Sequence, residues 1–478
     1  MKIAIIGNGL IGSISSIYLS KKGYKVDCIG PELKKAKEKI KGINKETTFS
    51  KYNSKEILVS PKFKRKDVIE NKRISDNYFE KDNHNFFSLE IADEMGLSKF
   101  WGANLPIHYL EEFISNLDLN EEENKFLLDL IPMLNVQDYY KNKFPKFKSD
   151  FYKLRDKFEI NSSILSIFQE RLDINNLPNY KYSNAIFGSD SLKFNNCKRI
   201  KGKVERINLT SEKFLTEILI DDGNRKFHKK YNYVFLASGT IGSYRILMNS
   251  LGENRIYKLY DRIKHHPMIS TLTFIPHIPY PKSHIGMSNL DLKLSIDKNE
   301  IVINFHPLES FLKNKFISSF DDKKFLFLKF IFLIIDKFSS IPFSPIWLIR
   351  RMYIAAIYLP SNLSSSYIGY ENQKVKIIGG LRSDFEKYVM KNLWGKISKE
   401  LKTKKIFNLF INPLKLKIGA DFHYSSSLVN YTDKNGIVKV NNKKTNLIVL
   451  DPSSSKDLPI ANPSLFFISR AIKMLREI

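Results

Sequence analysis

The chain has 478 residues, 43% of them hydrophobic, which supplies two or three ordinary cores and excludes global disorder. Lys and Arg (77) exceed Asp and Glu (50), for a net charge of +27, and the lysines are scattered rather than clustered. Such a surface is either simply solvated or attracted to an anionic membrane or phosphorylated substrate. No nucleic-acid-binding motif or compact Arg stripe is present, so nucleic acid is not an expected partner.

The first thirteen residues, MKIAIIGNGLIGS, organise the rest. Residues 2–6 read as a buried strand, Gly7, Gly9 and Gly12 follow at GxGxxG spacing, residues 11–19 open an apolar-periodic helix, and residues 24–29 form a second strand. In such a β-α-β unit the first glycine makes the tight turn, the second lets a pyrophosphate approach the backbone, and the third lets helix and strand pack closely. The phosphates then meet the free N–H groups and dipole of the helix N-terminus. A carboxylate ordinarily closes the second strand and holds ribose hydroxyls. Here that place reads Cys28-Ile29-Gly30-Pro31-Glu32, so either Glu32 reaches in from two residues later or the ribose is held differently. The motif alone does not separate FAD from NAD. Its glycine-broken apolar run, with no small-residue cleavage site, argues against a signal peptide. Cys28 and Cys197 form no CxxC pair, which fits a reducing compartment, and a cytoplasmic protein is expected.

Residues 33–90 are polar and Lys-rich, and residues 109–160 look helical, with Leu127, Leu128, Leu130 and Ile131 at helical spacing. Residues 197–220 alternate apolar and polar and lead into an Asp221-Asp222-Gly223 hairpin turn. A buried strand at residues 233–239 precedes a helix at about residues 242–250. Between His266 and Gly380 the runs 269–275, 301–305, 352–358 and 375–378 are short and β-rich, predicting a mostly antiparallel sheet. Residues 384–410 look helical, 447–450 form a strand, and an amphipathic helix starts at Pro463. Residues 325–335 are apolar except for Lys329, too short for the roughly 20 apolar residues of a spanning helix. That run is either a buried core helix or, with Lys323, Lys324, Lys337, Arg350 and Arg351 at its flanks, part of an interfacial membrane-docking segment over 325–349.

Four separated blocks, in common order, resemble the glucose–methanol–choline (GMC) family of flavin oxidoreductases, especially its pyranose-oxidase-like branch. They are the N-terminal glycine motif; Ser98-Lys-Phe-Trp101-Gly102-Ala103-Asn104; Val234-Phe-Leu-Ala237-Ser238-Gly239-Thr240-Ile241-Gly242-Ser243; and Gly419-Ala-Asp-Phe-His423-Tyr-Ser-Ser-Ser427 followed by Asp451-Pro-Ser and Asn462-Pro463-Ser464-Leu465. The resemblance hardly covers residues 40–195. It implies an α/β chain, α+β overall. A Rossmann-like FAD-binding domain is assembled from 1–60, 195–265 and 415–478. The substrate-binding domain and helical insertions come from 61–194 and 266–414. By the same resemblance Trp101, Gly102, Ala103 and Asn104 pass the flavin ring. Phe100 stands where that branch often has a flavin-linking histidine, so the FAD is expected to be non-covalent. Val204, Ala237, Ser238 and Gly239 are implied near the adenine and pyrophosphate, and Asp451, Pro463 and Ser464 near the ribityl chain and ring.

Oxidising a carbinol needs a group that takes the hydroxyl proton while hydride leaves carbon. An imidazole, with an unperturbed pKa of about 6.5, suits that task near neutral pH. A neutral amide opposite it can hold the same oxygen without competing for the proton. The resemblance gives these roles to His423 as base and Asn462 as its partner, and leaves His265 and His266 as structural turn residues. His306 is a guess for the substrate pocket. No HExxH, CxxC pair or carboxylate cluster suggests a metal. The expected reaction is hydride transfer to FAD from a hydroxyl of a sugar or glycan, which could be lipid-linked at the inner face of the membrane. The electron acceptor stays open. Two alternatives stand beside it, a keto-sugar reductase and a membrane-attached basic scaffold that keeps FAD as a structural element.

Overall fold

In the computed structural model, residues 1–30, 86, 119–130, 160–162, 196–209, 215–252, 260–276, 290–308, 348, 351–416, 418–419, 421, 423–460 and 463–476 are described. β1 (Lys2–Ile6), α1 (Leu10–Lys21) and β2 (Lys25–Gly30) follow the spacing of the N-terminal motif, and β1 and β2 pair in parallel. A strand covered on both faces must be apolar nearly throughout, and residues 3–6 and 26–30 are all buried. α2 (Glu121–Leu130) lies within the stretch expected to be helical, and its Glu123 joins Arg476 in an ion pair and Tyr18 through a hydrogen bond. β3 (Ile160–Ser162) follows.

The alternating stretch after residue 196 divides in two. β4 (Cys197–Lys201) pairs in parallel with β2, and Gly202 N–H donates to Gly30 O. The chain then turns away into an antiparallel three-stranded sheet of β5 (Lys203–Asn208), β6 (Thr216–Asp221) and β7 (Lys226–Tyr231). Gly202 is what permits the turn, since a Cβ there would press on the Ile220 side chain. The Asp222-Gly223 turn closes β6 on β7, with Asp222 Oδ1 accepting from the Asn224 and Arg225 N–H groups.

β8 (Tyr233–Leu236) pairs in parallel with β1 on the side opposite β2, and α3 (Gly239–Leu251) begins three residues earlier than its apolar spacing suggests. β9 (Asp261–Ile263) is followed by β10 (Met268–Phe274), β11 (Leu290–Ile296), β12 (Asn299–Pro307) and β13 (Met352–Tyr358), which pair antiparallel in the order β10-β13-β12-β11, with β3 beyond β11. β14 (Ser366–Glu371) and β15 (Lys374–Ile378) form a second three-stranded antiparallel sheet with β9. The expected helix over 384–410 is a π-helical stretch, Glu386–Leu393, running into α4 (Trp394–Thr403). It stops there because Lys405 turns to a positive φ of 56°, and β16 (Phe407–Asn408) and β17 (Leu414–Lys415) then pair along the edge of β10.

β18 (Ile437–Val440) and β19 (Lys443–Val449) return the chain to the first sheet, whose order is β18-β19-β8-β1-β2-β4; only β18 is antiparallel to its neighbour. α5 (Ser464–Leu475) packs against α1. The chain is thus a mixed α/β protein with one largely parallel sheet and three antiparallel ones among the described residues. One apolar core fills the space around the parallel sheet, with Ile6, Leu236, Val204 and Leu447 in it. A second lies where Val389, Leu393, Trp394, Ile397 and Leu401 pack on the seven-stranded sheet. No helix among the described residues is long and apolar enough to cross a membrane, and the run 325–335 lies outside them.

Candidate active site

β1 has β2 on one side and β8 on the other, and each of β1 and β8 is followed at once by a helix. The strand order therefore reverses at β1, and a crevice opens beyond its C-terminal end between the starts of α1 and α3, where parallel α/β sheets bind ligands. Gly7 (φ 111°) closes the turn there, and a Cβ on it would overlap the Ala237 carbonyl; a Cβ on Gly12 would overlap the carbonyl of Gly7. Both glycines are dictated by close backbone approach. Gly9 is the N-cap of α1, and Ser13 N–H donates to its carbonyl at 2.9 Å. No side chain caps α1, α3 or α5 at the N-terminus, and none of the three has an acidic residue in its first turn. The positive ends of α1 and α3 thus face the crevice without compensation from the caps or first turns, which suits a pyrophosphate.

At the end of β2, the Asn8 amide packs on Gly30 so closely that a Cβ there would overlap it. That contact explains why no carboxylate occupies Gly30, and it puts Asn8 at the place where a ribose-binding group is expected. Glu32 lies outside the described residues, as do Trp101, Gly102, Ala103, Asn104 and Asn462. Ala237 is buried and donates its N–H to Ile6 O, Ser238 Oγ donates to the same carbonyl, and Gly239 takes φ 77°. Val204 is buried in β5, in the same core as Ile6 and Leu236.

Asp451 sits at the end of β19, fully buried. Ser243 Oγ donates to its Oδ2, while Ser453 N–H (3.0 Å) and Ser453 Oγ (2.5 Å) donate to Oδ1. Burial pushes this carboxyl above its ordinary range, against the pull of those hydrogen bonds and of Arg470. Pro463 occupies the position just before α5, and Ser464 is the first residue of the helix.

The loop carrying His423 is fastened on every side. Thr240 Oγ1 donates to Tyr424 O at 2.6 Å, and Ser427 Oγ donates to Thr240 O at 2.9 Å, so both bonds run to the first turn of α3. Ser425 and Lys264 exchange backbone hydrogen bonds at 3.1 Å, and Leu428 N–H donates to Ser453 O. Ser426 takes φ 73°, a conformation that costs a non-glycine residue roughly 1–2 kcal/mol. Its N–H donates to Pro452 O and its Oγ to Ser455 O, which offset that cost by about 1 kcal/mol each. The serine thus replaces glycine's freedom with tethering.

His423 itself is half-buried, its ring stacked at 30° against Tyr358 (centroids 6.2 Å apart) and edge-on to His266 (6.4 Å). His266 is fully buried. Its backbone N–H donates to Asp421 Oδ2 at 2.7 Å, and its two ring nitrogens lie 3.1 Å from Leu359 O and Pro459 O. His265 sits beside it with Nε2 3.1 Å from Ser366 Oγ and Nδ1 3.9 Å from Asp421 Oδ1. Burial pulls His265 down to about 3 and His266 down to about 4, so both rings are neutral near pH 7. A neutral ring has one N–H, and His266 can therefore donate to only one of its two carbonyls at a time.

Ala237, Ser238, Gly239, Asp451 and the loop that carries His423 thus belong to one hydrogen-bonded assembly around the start of α3, joined to Gly7 and Gly12 by backbone contact. Sequence reasoning missed Tyr358 as a neighbour of His423 and Asp421 as the partner of the His266 backbone. The signal open to it was Asp421, two residues before His423 in the same block. Among the described residues no group of three or more His, Cys, Asp or Glu could hold a metal ion.

No family model matches the sequence, and no curated protein sequence matches it. The fold is similar to the folds of two solved oxidoreductases. Over its whole length the chain is similar to pyridoxine 4-oxidase from Mesorbium loti, with a TM-score of 0.55, 11% identity and coverage of 100% of this chain and 98% of that one. It is similar also to an FAD-dependent oxidoreductase from Chaetomium thermophilum, with a TM-score of 0.51, 11% identity and coverage of 99% and 98%. At these identities the likeness is one of fold.

Proposed function

We propose that this protein is an FAD-dependent oxidoreductase of the GMC type, close to the pyranose-oxidase-like branch, that oxidises a hydroxyl-bearing carbon with His423 as base. The observation that carries the reading is the rigid joining of a half-open imidazole to a dinucleotide-type cradle: His423 stands on a loop bonded to the first turn of α3, at the crevice bordered by Gly7 and α1. The crevice fits the cofactor. Two helix N-termini without capping side chains or first-turn acids face it, and glycines keep its floor free of Cβ atoms.

In this reading the backbone at Gly7, Gly9, Gly12 and Ala237–Ser238–Gly239 lines the pyrophosphate, which the N–H groups at the starts of α1 and α3 hold, Asn8 stands at the ribose position, and Val204 lies by the adenine. Asp451, Pro463 and Ser464 border the far end, and Phe100 leaves the flavin without a covalent link. When bound, the flavin supplies the hydride acceptor. The chain does the rest. His423 takes the hydroxyl proton, Asn462 holds the same oxygen, and Tyr358 fixes the plane of the imidazole. The parallel sheet serves as a Rossmann-like cofactor domain built from 1–60, 195–265 and 415–478, and the seven-stranded sheet floors a substrate domain built from 61–194 and 266–414. A sugar or glycan hydroxyl is the substrate class, acting in a cytoplasmic or membrane-peripheral setting.

The test is spectroscopic. Purified protein should show flavin absorption that bleaches without oxygen when an alcohol or sugar is added from a panel. Absence of flavin after reconstitution, or flavin that no member of the panel reduces while dithionite does, overturns the proposal.

A further inference from the structure

The strand that edges the seven-stranded sheet leaves large apolar side chains in water. Phe407 and Asn408 pair with Phe274 and Thr273, Leu409 N–H donates to Leu272 O, and the chain rejoins β10 only at Leu414, opposite Ser270. Between these pairings the backbone bulges outward, pinned by Trp394 Nε1–H donating to Ile411 O at 2.7 Å. Alternate residues of this segment face out: Phe407 is 40% exposed, Leu409 46% and Ile411 92%. Ile406 is buried, and Phe410 packs in part against Leu272 and Leu308, so the segment is well anchored on its inner side. Isolated exposed leucines are ordinary, but three large apolar residues in succession on a pinned edge mark a contact surface.

Its charge says what the contact is. Residues 394–417 hold seven lysines and one glutamate. Lys396 and Lys415 are paired with Asp297 and Glu386, while Lys399, Lys402 and Lys405 stand exposed on the outer side of α4 and at its end. We propose that this edge docks on an anionic lipid surface, with Leu409 and Ile411 entering the headgroup boundary and the lysines meeting lipid phosphates. A second copy of the chain is the poorer occupant, because it would bring one lysine row against another on molecules of charge +27. Phe407 pairs at the end of β10 away from Met268, whereas Tyr358 pairs with Met268, so docking through residues 407–411 need not cover the His423 site. The proposal is independent of the flavin chemistry, and the two fail separately.

The experiment is flotation of the full chain with phosphatidylcholine vesicles, with and without phosphatidylglycerol. Binding is expected only to the anionic vesicles, weakening as salt shortens the Debye length from about 10 Å at 0.1 M to about 3 Å at 1 M. Leu409→Ser with Ile411→Ser should lower vesicle partition by roughly 10–100-fold, and each of Lys402→Gln and Lys405→Gln by about fivefold. All four positions are on the surface, so melting temperature and any flavin reduction should stay at wild-type values. Wild-type protein that fails to bind anionic vesicles at low salt refutes the proposal. So does equal binding by the Leu409→Ser/Ile411→Ser variant, which would put the contact elsewhere. A dimer seen by light scattering, dispersed by that variant and indifferent to vesicles, refutes it in favour of self-association.

Discussion

His265 and His266 make the fold acid-sensitive, and the size of the effect follows from their burial. Both are neutral in the native state, with pKa values of about 3 and about 4 against an ordinary 6.5. Below pH 6.5 the unfolded chain takes up protons that the native rings refuse, so the stability these residues contribute at neutral pH is lost as pH falls toward 4. Between about pH 7.5 and about pH 5 each ring should cost the native state about 2 kcal/mol, a large share of the 5–15 kcal/mol typical of a domain. Asp261 and Asp451 act with the opposite sign. Burial raises both, so the native carboxyls bind protons first and recover part of the loss at the acid end. The clean measurement is therefore a difference between variants. His266→Gln keeps a donor for one of the two carbonyls but does not titrate in this range. It should be less stable than wild type at about pH 7.5, yet lose about 2 kcal/mol less on going to about pH 5, read from urea midpoints at saturating FAD. Identical pH dependence in wild type and His266→Gln would refute the neutral, buried state assigned to this ring.

Gly12→Ala should abolish most flavin binding and destabilise the chain by about 1–3 kcal/mol or more, because its methyl group would meet the Gly7 carbonyl; flavin absorbance and melting temperature check both. His423→Ala should retain flavin, since the tethers of its loop to α3 run through Tyr424 and Ser427 rather than the imidazole, and slow flavin reduction by roughly 10²–10⁴-fold in stopped-flow assays. Acid precipitation should leave yellow FAD in the supernatant; colour retained on the denatured chain would contradict the non-covalent reading of Phe100.

Much of the cradle was legible because covalent geometry restricts it. Gly7 and Gly12 are dictated by backbone approach between β1, α1 and the end of β8, and a spacing rule captures that locally. The β-rich runs at 269–275, 301–305 and 352–358 were legible for a similar reason, since a sheet's two-residue period shows in a short run. The surroundings of His423 were not. Tyr358 and His266 come from segments far from it in sequence, and nothing in the local pattern of either marks it as a neighbour of that ring. The end of the helix expected over 384–410 was hidden too. Ile397 and Leu401 carry a helical period into Ile406, and the two-residue alternation of Phe407, Leu409 and Ile411 is too brief to overrule it without β10 beside it.

The serines of the His423 loop show how hydrogen bonding can hold a backbone conformation that favours glycine. At φ 73° Ser426 keeps the left-handed turn that a glycine would make freely, and its hydroxyl and N–H groups bind the 452–455 turn, which Asp451 also orders through Ser453. Asp451 in turn holds Ser243 of α3, and Thr240 of the same helix holds Tyr424 and Ser427. The ring closes: α3, the turn after β19 and the histidine loop each fix the other two. A site that must hold an imidazole at one place against a ligand in the crevice gains from such closure, because no single tether then decides where His423 stands. The serine bonds thus hold Ser426 in its left-handed conformation without a glycine, and the loop keeps its path.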